Sequence, residues 1–178
     1  RAERLGDASV CVIEIDWDPA EEYKCGQIPG ALNWRWKVDL WHPTNREFIE
    51  GHAFCELMGQ SGISNDTKVI LYGDSNRFAT YAFFVLKLRG HSDVRLLHGG
   101  RTKWIAEGRS LTDRVPLPGR AEYEAGEPEP RLRATWSDIL AGLPESSHFL
   151  LDVRSVEEYR GERVAPPGML DHGAERTG

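Results

Sequence analysis

A degenerate internal repeat constrains this chain of 178 residues more than any other feature of its sequence. The apolar run 12–16 is followed by Glu-Glu-Tyr at 21–23, and a similar run at 150–154 is followed by Glu-Glu-Tyr at 157–159. In both copies an acidic residue sits inside an apolar strand pattern and a short helical pattern follows. Because repeated residue patterns in the same element order are typical of duplication, the sequence predicts two copies of one unit.

Strand and helix patterns alternate along the first copy. Strands are predicted from apolar, β-branched runs at 10–15, 67–72 and 94–97. Helices are predicted at 18–23, at the spacing of Phe54, Leu57 and Met58, at 79–88, and through Trp104 to Gly108. This alternation predicts an α/β fold, in which a central parallel sheet is flanked by helices.

Composition divides the chain into three segments. Residues 115–131 are rich in proline, glycine and scattered charges, which cannot bury enough apolar surface to fold alone, so this segment is predicted to be a linker. Residues 1–114 are the predicted first domain. Residues 132–178 are predicted to begin a second copy, with a helix starting at Thr135 and a strand at 148–153. About 40 residues are too few to close an α/β core, so this copy is expected to be truncated.

Charge and hydropathy argue against two classes of partner. The formal net charge is -6, whereas nucleic-acid binding draws most of its affinity from clustered lysine and arginine. No apolar run approaches the roughly 20 residues that a membrane-spanning helix needs. We therefore expect neither a nucleic-acid partner nor a membrane partner.

The cysteine and histidine positions do not form a recognisable ligand set. Cys11, Cys25 and Cys55 are odd in number and lack metal-ligand spacing, so neither a disulfide framework nor a metal or cofactor site is predicted. Such thiols suit a reducing cytoplasm, which is the expected location. Cys11 and Cys55 are interpreted as packing residues. Lys24 can lower the pKa of its neighbour Cys25, which leaves a redox or sulfur-accepting role open for that thiol.

Tryptophans crowd the stretch 34–41, at Trp34, Trp36 and Trp41. Such a cluster can be a stacking platform for single-stranded nucleic acid, but in an acidic chain it more often marks a core or an interface. Packing between domains is the favoured interpretation.

Three ordered motifs carry a family resemblance. Residues 23–31 have Gln27 where the first signature of the family usually has histidine. Residues 90–104, with Gly108, are similar to the segment that closes one of its domains, and residues 151–154 to the start of its catalytic second domain. Together they resemble the rhodanese superfamily, specifically the tandem thiosulfate and mercaptopyruvate sulfurtransferases. The resemblance implies a non-catalytic first domain whose partner is the carboxyl-terminal rhodanese domain of the same protein.

The resemblance also implies sulfur transfer through a cysteine persulfide. Backbone N–H groups at a helix N-terminus lower the pKa of such a thiol and hold the persulfide anion. In rhodaneses the loop that supplies them follows a buried strand and begins with the cysteine. Here the strand is residues 69–72, and Gly73 occupies the position of the nucleophile. Because glycine has no side chain to carry sulfur, the loop is predicted to be catalytically silent.

The predicted silent loop consists of Gly73, Asp74, Ser75, Asn76, Arg77 and Phe78. Asp74 adds negative charge where an anion would bind, which favours a loop that only joins strand to helix. The alternative is that the loop still binds an anion through its polar side chains and a helix predicted to begin at Ala79.

Four further residues are candidates for substrate binding. Trp17 matches an aromatic position that faces the cleft between rhodanese domains, although ordinary packing explains it equally well. Asp152 and Arg154 lie at the carboxyl end of a predicted strand, where α/β sheets place functional loops. Arg154 can attract an anionic donor or tie loops together with Asp152, and Arg160 is a weaker candidate for the same duty.

Two functions stay open on the sequence. The first is a sulfurtransferase that moves a sulfane sulfur from thiosulfate or 3-mercaptopyruvate to cyanide or a thiol acceptor, using a cysteine beyond Gly178. In that case this chain supplies the scaffold and one wall of the cleft. The second is a non-catalytic rhodanese-like binding or regulatory module.

Overall fold

Four parallel strands form the sheet of the first part of the chain. They are β1 (Val10–Asp16), β2 (Ala31–Arg35), β3 (Lys68–Tyr72) and β4 (Val94–Leu96), arranged in the order β2-β1-β3-β4. This computed structural model describes residues 9–16, 26–45, 47–74, 76–142 and 149–163. The sheet confirms the predicted α/β fold with a central parallel sheet.

Helices flank and follow these strands. They are α1 (Trp36–Asp39), α2 (Gly51–Gln60), α3 (Asn76–Leu88), α4 (Gly100–Ala106), α5 (Trp136–Gly142) and α6 (Val156–Tyr159). The helices predicted around Phe54, before Gly90 and at Trp104 are confirmed, whereas the one predicted at 18–23 lies outside the described residues. Within the described ranges, none of the helices has the length and apolar character that crossing a membrane requires.

Strand β1 separates two apolar clusters of unequal size. Alternation along a strand sends Ile13 and Ile15 into the larger cluster, with Leu71 of β3 and residues of α2 and α3. Val12 points to the opposite side and joins a smaller cluster that contains Tyr72. Glu14 is in phase with Val12, and its side chain is buried. The sheet therefore carries a charged residue on the side that has less apolar packing.

Helix α3 begins three residues earlier than predicted. Its first residue is Asn76, although the sequence suggested a start at Ala79, so the connection from β3 is shorter than the predicted loop. Phe78 belongs to the first turn and packs on the larger cluster, with its ring centroid 4.9 Å from that of Trp36. This apolar anchor explains why the helix includes residues that composition alone assigns to a loop.

The interpretation of the tryptophan stretch as a surface for packing between domains is wrong for Trp34. Trp34 lies in β2, is buried in the larger cluster and donates its indole N–H to Ser61 Oγ over 3.0 Å. Trp36 packs against the same cluster and meets Trp41 edge to face at 4.8 Å between ring centroids. Pairing of β2 with β1 directs Trp34 into the core, which local sequence could not reveal.

The proline-rich segment runs along the first part of the chain and contributes to its core. Tyr123 is buried in the larger cluster, and its hydroxyl lies 3.2 Å from Nδ1 of His91. The N–H of Ala121 donates to the carbonyl of Gly59 over 2.9 Å. We call residues 118–126 the strap. The chain divides into two compact units, Arg1–Arg133 and Ala134–Gly178, so the strap belongs to the first; the predicted domain bounds stay a prediction.

The second unit has a different character in its described residues. Helix α5 follows Thr135 as predicted, and α6 begins with a capping box between Ser155 and Glu158. The strand predicted at 148–153 is absent from residues 149–153, and His148 lies outside the described residues. The apolar side chains of this stretch are exposed. A strand needs a neighbour for its backbone groups, and the described part of this unit offers none.

Candidate functional site

The most unusual feature near the predicted silent loop is a carboxylate buried inside the sheet. Glu14 of β1 is only 1% exposed, and its Oε2 accepts a hydrogen bond of 2.9 Å from the hydroxyl of Tyr72 in β3. A buried charge is costly unless it is paired and hydrogen-bonded. Glu14 therefore requires a positive partner on the same side of the sheet.

Arg101, in the first turn of α4, is that partner. Its side chain is 3% exposed, and its Nη1 donates to Glu14 Oε1 over 2.6 Å. Its Nη2 donates to the carbonyl of Gly26, and its backbone N–H donates to the carbonyl of Gly73 over 3.2 Å. One residue thus joins the central strand, the turn before β2 and the start of the predicted silent loop.

Burial disfavours the charged form of both residues and so shifts their pKa values in opposite directions. Burial raises the pKa of Glu14, against the effect of the hydrogen bonds from Tyr72 and Arg101. Burial by itself lowers the pKa of Arg101, but the hydrogen bond and charge of Glu14 outweigh it, so the net direction is upward. Arg101 is therefore a permanently charged group within the fold.

Asp74 brings a second carboxylate to the same guanidinium. Its Oδ1 lies 3.4 Å from Arg101 Nε, and its backbone carbonyl accepts a hydrogen bond of 3.4 Å from the Thr102 hydroxyl. The Asp74 side chain is half exposed, unlike that of Glu14. The loop after β3 thus presents a carboxylate to solvent and ties it inward to a buried cation.

The turn before β2 is held by the same group of residues. The N–H of Ile28 donates to the Tyr72 hydroxyl over 3.1 Å. Gln27, which stands where the family signature usually has histidine, donates from Nε2 to the carbonyl of Arg114 over 2.8 Å and exchanges two backbone hydrogen bonds with Thr112. In this unit Gln27 is therefore a structural residue that fastens the turn to the segment after α4.

The structure describes the predicted silent loop only in part. Gly73 is buried, while Asp74 and Arg77 are exposed and Phe78 is half-buried. Ser75 and the side chain of Asn76 lie outside the described residues. The proposal that Gly73 stands at the nucleophile position stays a prediction.

Three of the predicted substrate-binding residues lie in the second unit, and the fourth, Trp17, falls outside the described residues. Asp152 and Arg154 are exposed and pair with each other, with Arg154 Nη2 2.6 Å from Asp152 Oδ2. The hydrogen bonds from Arg154 lower the pKa of Asp152 to about 2. Arg160 is exposed at the end of α6. The mutual pairing fits the structural alternative considered for Asp152 and Arg154, and their substrate role stays a prediction.

The described cysteines have the surroundings of packing residues. Burial raises the pKa of Cys11 to about 12, and Cys55 Sγ accepts a hydrogen bond of 3.2 Å from the N–H of Ala125 in the strap. Cys25 lies outside the described residues. Within the part of the chain that the structure describes, no three His, Cys, Asp or Glu side chains come together as metal ligands would.

The sequence reasoning missed Arg101 and Tyr72 as members of the site. A signal for them existed, because Glu14 is a charged residue inside an apolar strand and such a residue is almost never fully buried without a partner. Arg101 also lies within the Gly-Gly-Arg segment that carries part of the family resemblance. The choice of Arg101 among 22 basic residues required the fold.

Comparison with known proteins identifies the family. The family model of the rhodanese-like domain matches residues 2–107. This chain belongs to the rhodanese-like family. The matched residues include β1 to β4 and α4, so the network around Glu14 and Arg101 lies within the rhodanese-like domain.

Curated relatives are longer than this rhodanese-like chain. The sulfur carrier protein TtuD of Thermus thermophilus is 45% identical over 180 residues, which cover 99% of this chain and 63% of the relative. A protein named thiosulfate sulfurtransferase SseA in Mycobacterium tuberculosis is 42% identical over 176 residues, covering 98% of this chain and 58% of its own length. This chain therefore spans less than two thirds of the length of these relatives.

A solved structure agrees with the rhodanese fold. SseA of Escherichia coli, described with the rhodanese fold and the mechanism of 3-mercaptopyruvate sulfotransferases, matches with a TM-score of 0.79 and 24% identity. The match covers 90% of this chain and 65% of that protein. At this level of identity the likeness concerns the fold.

Proposed function

We propose that this chain is the amino-terminal part of a sulfurtransferase. The parent protein moves a sulfane sulfur from thiosulfate, or from 3-mercaptopyruvate, to cyanide or a thiol acceptor. The sulfur is carried as a persulfide by a cysteine beyond Gly178, in a second rhodanese domain that begins after the segment 115–131. Residues 1–114 supply the scaffold and one wall of the cleft.

The observation that carries this proposal is the connection between β3 and α3. Its first residue, Gly73, has no side chain, and the next, Asp74, brings a carboxylate that is engaged with Arg101. A persulfide carrier requires a thiolate at such a strand-to-helix loop, with donors rather than a carboxylate around it. The described loop thus supports a role for this unit other than carrying sulfur.

The names of the relatives support the chemistry at the level of the family. The mycobacterial relative is named a thiosulfate sulfurtransferase and the Thermus relative a sulfur carrier protein. We place the protein in the cytoplasm, where thiols such as Cys11 and Cys55 stay reduced.

Trp17, Asp152, Arg154 and Arg160 are the proposed contributors to substrate binding. Arginine recognises oxyanions with several parallel N–H groups, which suits an anionic donor such as thiosulfate. Arg154 is already paired with Asp152, so we propose that it also orients the loop that follows it. Of the two arginines, Arg160 is then the one that is available to bind the donor.

Cyanide-dependent thiocyanate formation tests the proposal. The full-length protein should turn over with thiosulfate or 3-mercaptopyruvate, and the present chain by itself should not. A full-length variant with Cys11→Ser, Cys25→Ser and Cys55→Ser is the matched control and should keep its turnover. Loss of turnover in the variant Cys25→Ser alone would show that the nucleophile lies in this chain and would contradict the proposal.

The alternative is a rhodanese-like module that binds a partner without catalysis. It shares the silent loop but needs no downstream thiol. A full-length protein without turnover on either donor, but with a stable complex recovered with a partner, would favour this alternative.

A further inference from the structure

The connection between β3 and α3 contains its own anion. Asp74 lies two residues before the first residue of α3, a helix of 13 residues, and so stands beside the positive end of the helix dipole. The same carboxylate faces Arg101 Nε at 3.4 Å. Both groups are of the kind that hold an external oxyanion in other proteins.

Arg101 cannot move away to meet another ligand without breaking the fold. Nη1 is bound to Glu14 and Nη2 to the carbonyl of Gly26, while the backbone N–H holds the carbonyl of Gly73. Each of the three guanidinium nitrogens has a partner, and the Nε partner is Asp74. Asp74 is the exposed one of the two carboxylates, so it is the one that an external anion would have to displace.

The charge balance opposes such a displacement. Two carboxylates, those of Glu14 and Asp74, contact the single guanidinium of Arg101. An incoming anion that approached Arg101 from the loop would meet the carboxylate of Asp74, which lies 3.4 Å from Nε. We propose that Asp74 is an internal anion of the loop and excludes anionic sulfur donors from the first unit, leaving them to the second domain.

This inference rests on the proposed function in one respect, because it takes the connection after β3 as the counterpart of the sulfur-carrying loop. It adds a second reason why the loop after β3 does not take up sulfur. The absent thiol prevents sulfur transfer, and the Asp74 carboxylate prevents the donor from binding. Restoring a thiol at residue 73 should therefore give only slow sulfur uptake while Asp74 is present.

The test compares Gly73→Cys, Gly73→Cys/Asp74→Asn and Gly73→Cys/Asp93→Asn in the full-length protein. Asp93 is a partly exposed carboxylate that pairs with Arg95 and Lys68, so its substitution changes the net charge equally but away from the loop. In the assayed step the introduced thiolate attacks the outer sulfur of thiosulfate. A new S–S bond forms, the S–S bond of the donor breaks, and sulfite leaves with its electron pair.

Peptide mass spectrometry locates the added sulfur at residue 73 and separates it from sulfur on any other cysteine. We expect uptake to be about tenfold faster, or more, in the Asp74→Asn double variant than in Gly73→Cys, because a nearby like charge costs an anion a factor of this order. The Asp93→Asn variant should behave like Gly73→Cys. Reaction with a neutral alkylating reagent shows that the introduced thiol is accessible in each protein.

Two results would overturn the inference. Equal uptake by Gly73→Cys and its Asp74→Asn partner would show that the carboxylate excludes nothing. No uptake by either, with normal alkylation, would show that the loop holds no donor even when it is uncharged.

A second measurement avoids the introduced thiol. Asp74→Asn alone should be stabilised by thiosulfate more than the parent protein or Asp93→Asn is, at matched ionic strength in thermal unfolding. Equal stabilisation of all three contradicts the inference. Turnover of the unmodified protein is a separate readout, so failure of the proposed function is distinguishable from failure of this inference.

Discussion

Two stretches of this chain have the same residue pattern and different structures. Strand β1 and residues 150–154 both place an acidic residue among apolar ones. In β1 Val12, Ile13 and Ile15 are buried, and the strand lies between β2 and β3. Residues 150–153 form no strand, and their side chains are exposed. The pattern therefore specifies a strand only where neighbouring strands are present to pair with it.

The acidic residues of the two stretches are also neutralised differently. Glu14 is paired with Arg101, 87 positions away, and both side chains are buried. Asp152 is paired with Arg154, two positions away, and both are exposed to solvent. The repeat position that holds Arg154 in the second copy holds Asp16 in the first. The first copy thus has a distant partner where the second has a local one, and the distant pair links β1 to α4.

The largest expected effect comes from removing the distant partner. Arg101→Met leaves Glu14 buried without a counter-charge, which typically costs about 3–5 kcal/mol. Arg154→Met removes only an exposed pair and should leave stability unchanged. Hydrogen exchange of the β1 and α6 amides during denaturant titration reports the two units separately.

A double variant separates the charge from the packing of Arg101. Glu14→Gln/Arg101→Met removes both charges and should be more stable than Arg101→Met alone, because no unpaired charge is left in the interior. If the β1 amides were as protected from hydrogen exchange in Arg101→Met as in the parent protein, the distant pair would not distinguish the two copies.

The next effect concerns apolar burial at matched positions of the repeat. Ile13 is fully buried and Leu151 is 81% exposed. Ile13→Ala should destabilise the first unit by about 2–5 kcal/mol, the cost of a cavity in a packed core. Leu151→Ala in this chain should have no measurable effect on the unfolding midpoint. A comparable loss from Leu151→Ala would mean that the second stretch is packed as β1 is.

The core elements of the first unit could be predicted from local sequence because each has a clear apolar period. The pattern of β3 and that of α3 were sufficient to place both, with an error of three residues at the start of α3. Strand β2 was not predicted, since its sequence Ala-Leu-Asn-Trp-Arg has no clear strand pattern, and only its pairing with β1, with Trp34 opposite Ile15, defines it as a strand. The prediction of a strand at 148–153 is wrong for residues 149–153 for the converse reason, because this run is apolar but has no neighbouring strand among the described residues of its unit.

The site was less predictable than the fold. Asp74 was recognised as an obstacle to anions because its charge is evident in the sequence. Its link to Arg101 depends on how α4 is placed after β4, and no local pattern encodes that contact. Tyr72 looked like an ordinary strand residue, although its hydroxyl contacts both Glu14 and the N–H of Ile28.

A smaller effect on stability is expected from disturbing the strap, and it tests whether the strap is an integral part of the first unit. A Cβ at Gly59 would lie 2.7 Å from the carbonyl oxygen of Ala121, so Gly59→Ala must displace the strap. Overpacking of this kind costs about 1–3 kcal/mol, partly offset by the roughly 1 kcal/mol that alanine gains over glycine in a helix. We expect a net loss of stability and faster hydrogen exchange at Tyr123.

Gly119→Ala is the matched control within the strap. A Cβ there has no atom within 4 Å, so this variant should match the parent protein in stability. Equal stability of both variants would indicate that the strap is not an integral part of the first unit.

The smallest effect is a pH dependence that should belong to the first unit alone. His91 is buried, and its Nε2–H donates a hydrogen bond of 2.9 Å to the carbonyl of Thr67. In the neutral ring, Nδ1 therefore accepts a hydrogen bond from the Tyr123 hydroxyl. Burial lowers the pKa of His91 below the ordinary 6.5, with Lys87 acting in the same direction and the Thr67 carbonyl and Asp93 opposing.

Because the pKa of His91 is lowered on folding, the unfolded chain binds the proton more readily than the folded one. The contribution of neutral His91 to the free energy of unfolding is therefore fully present above pH 6.5 and decreases as the pH falls toward the folded pKa. His91→Gln should lose this dependence, whereas His52→Gln, at an exposed position, should keep it. Thermal unfolding about one unit above and one unit below that pH measures the difference. A decrease of the same size in His91→Gln would assign the acid sensitivity to other groups.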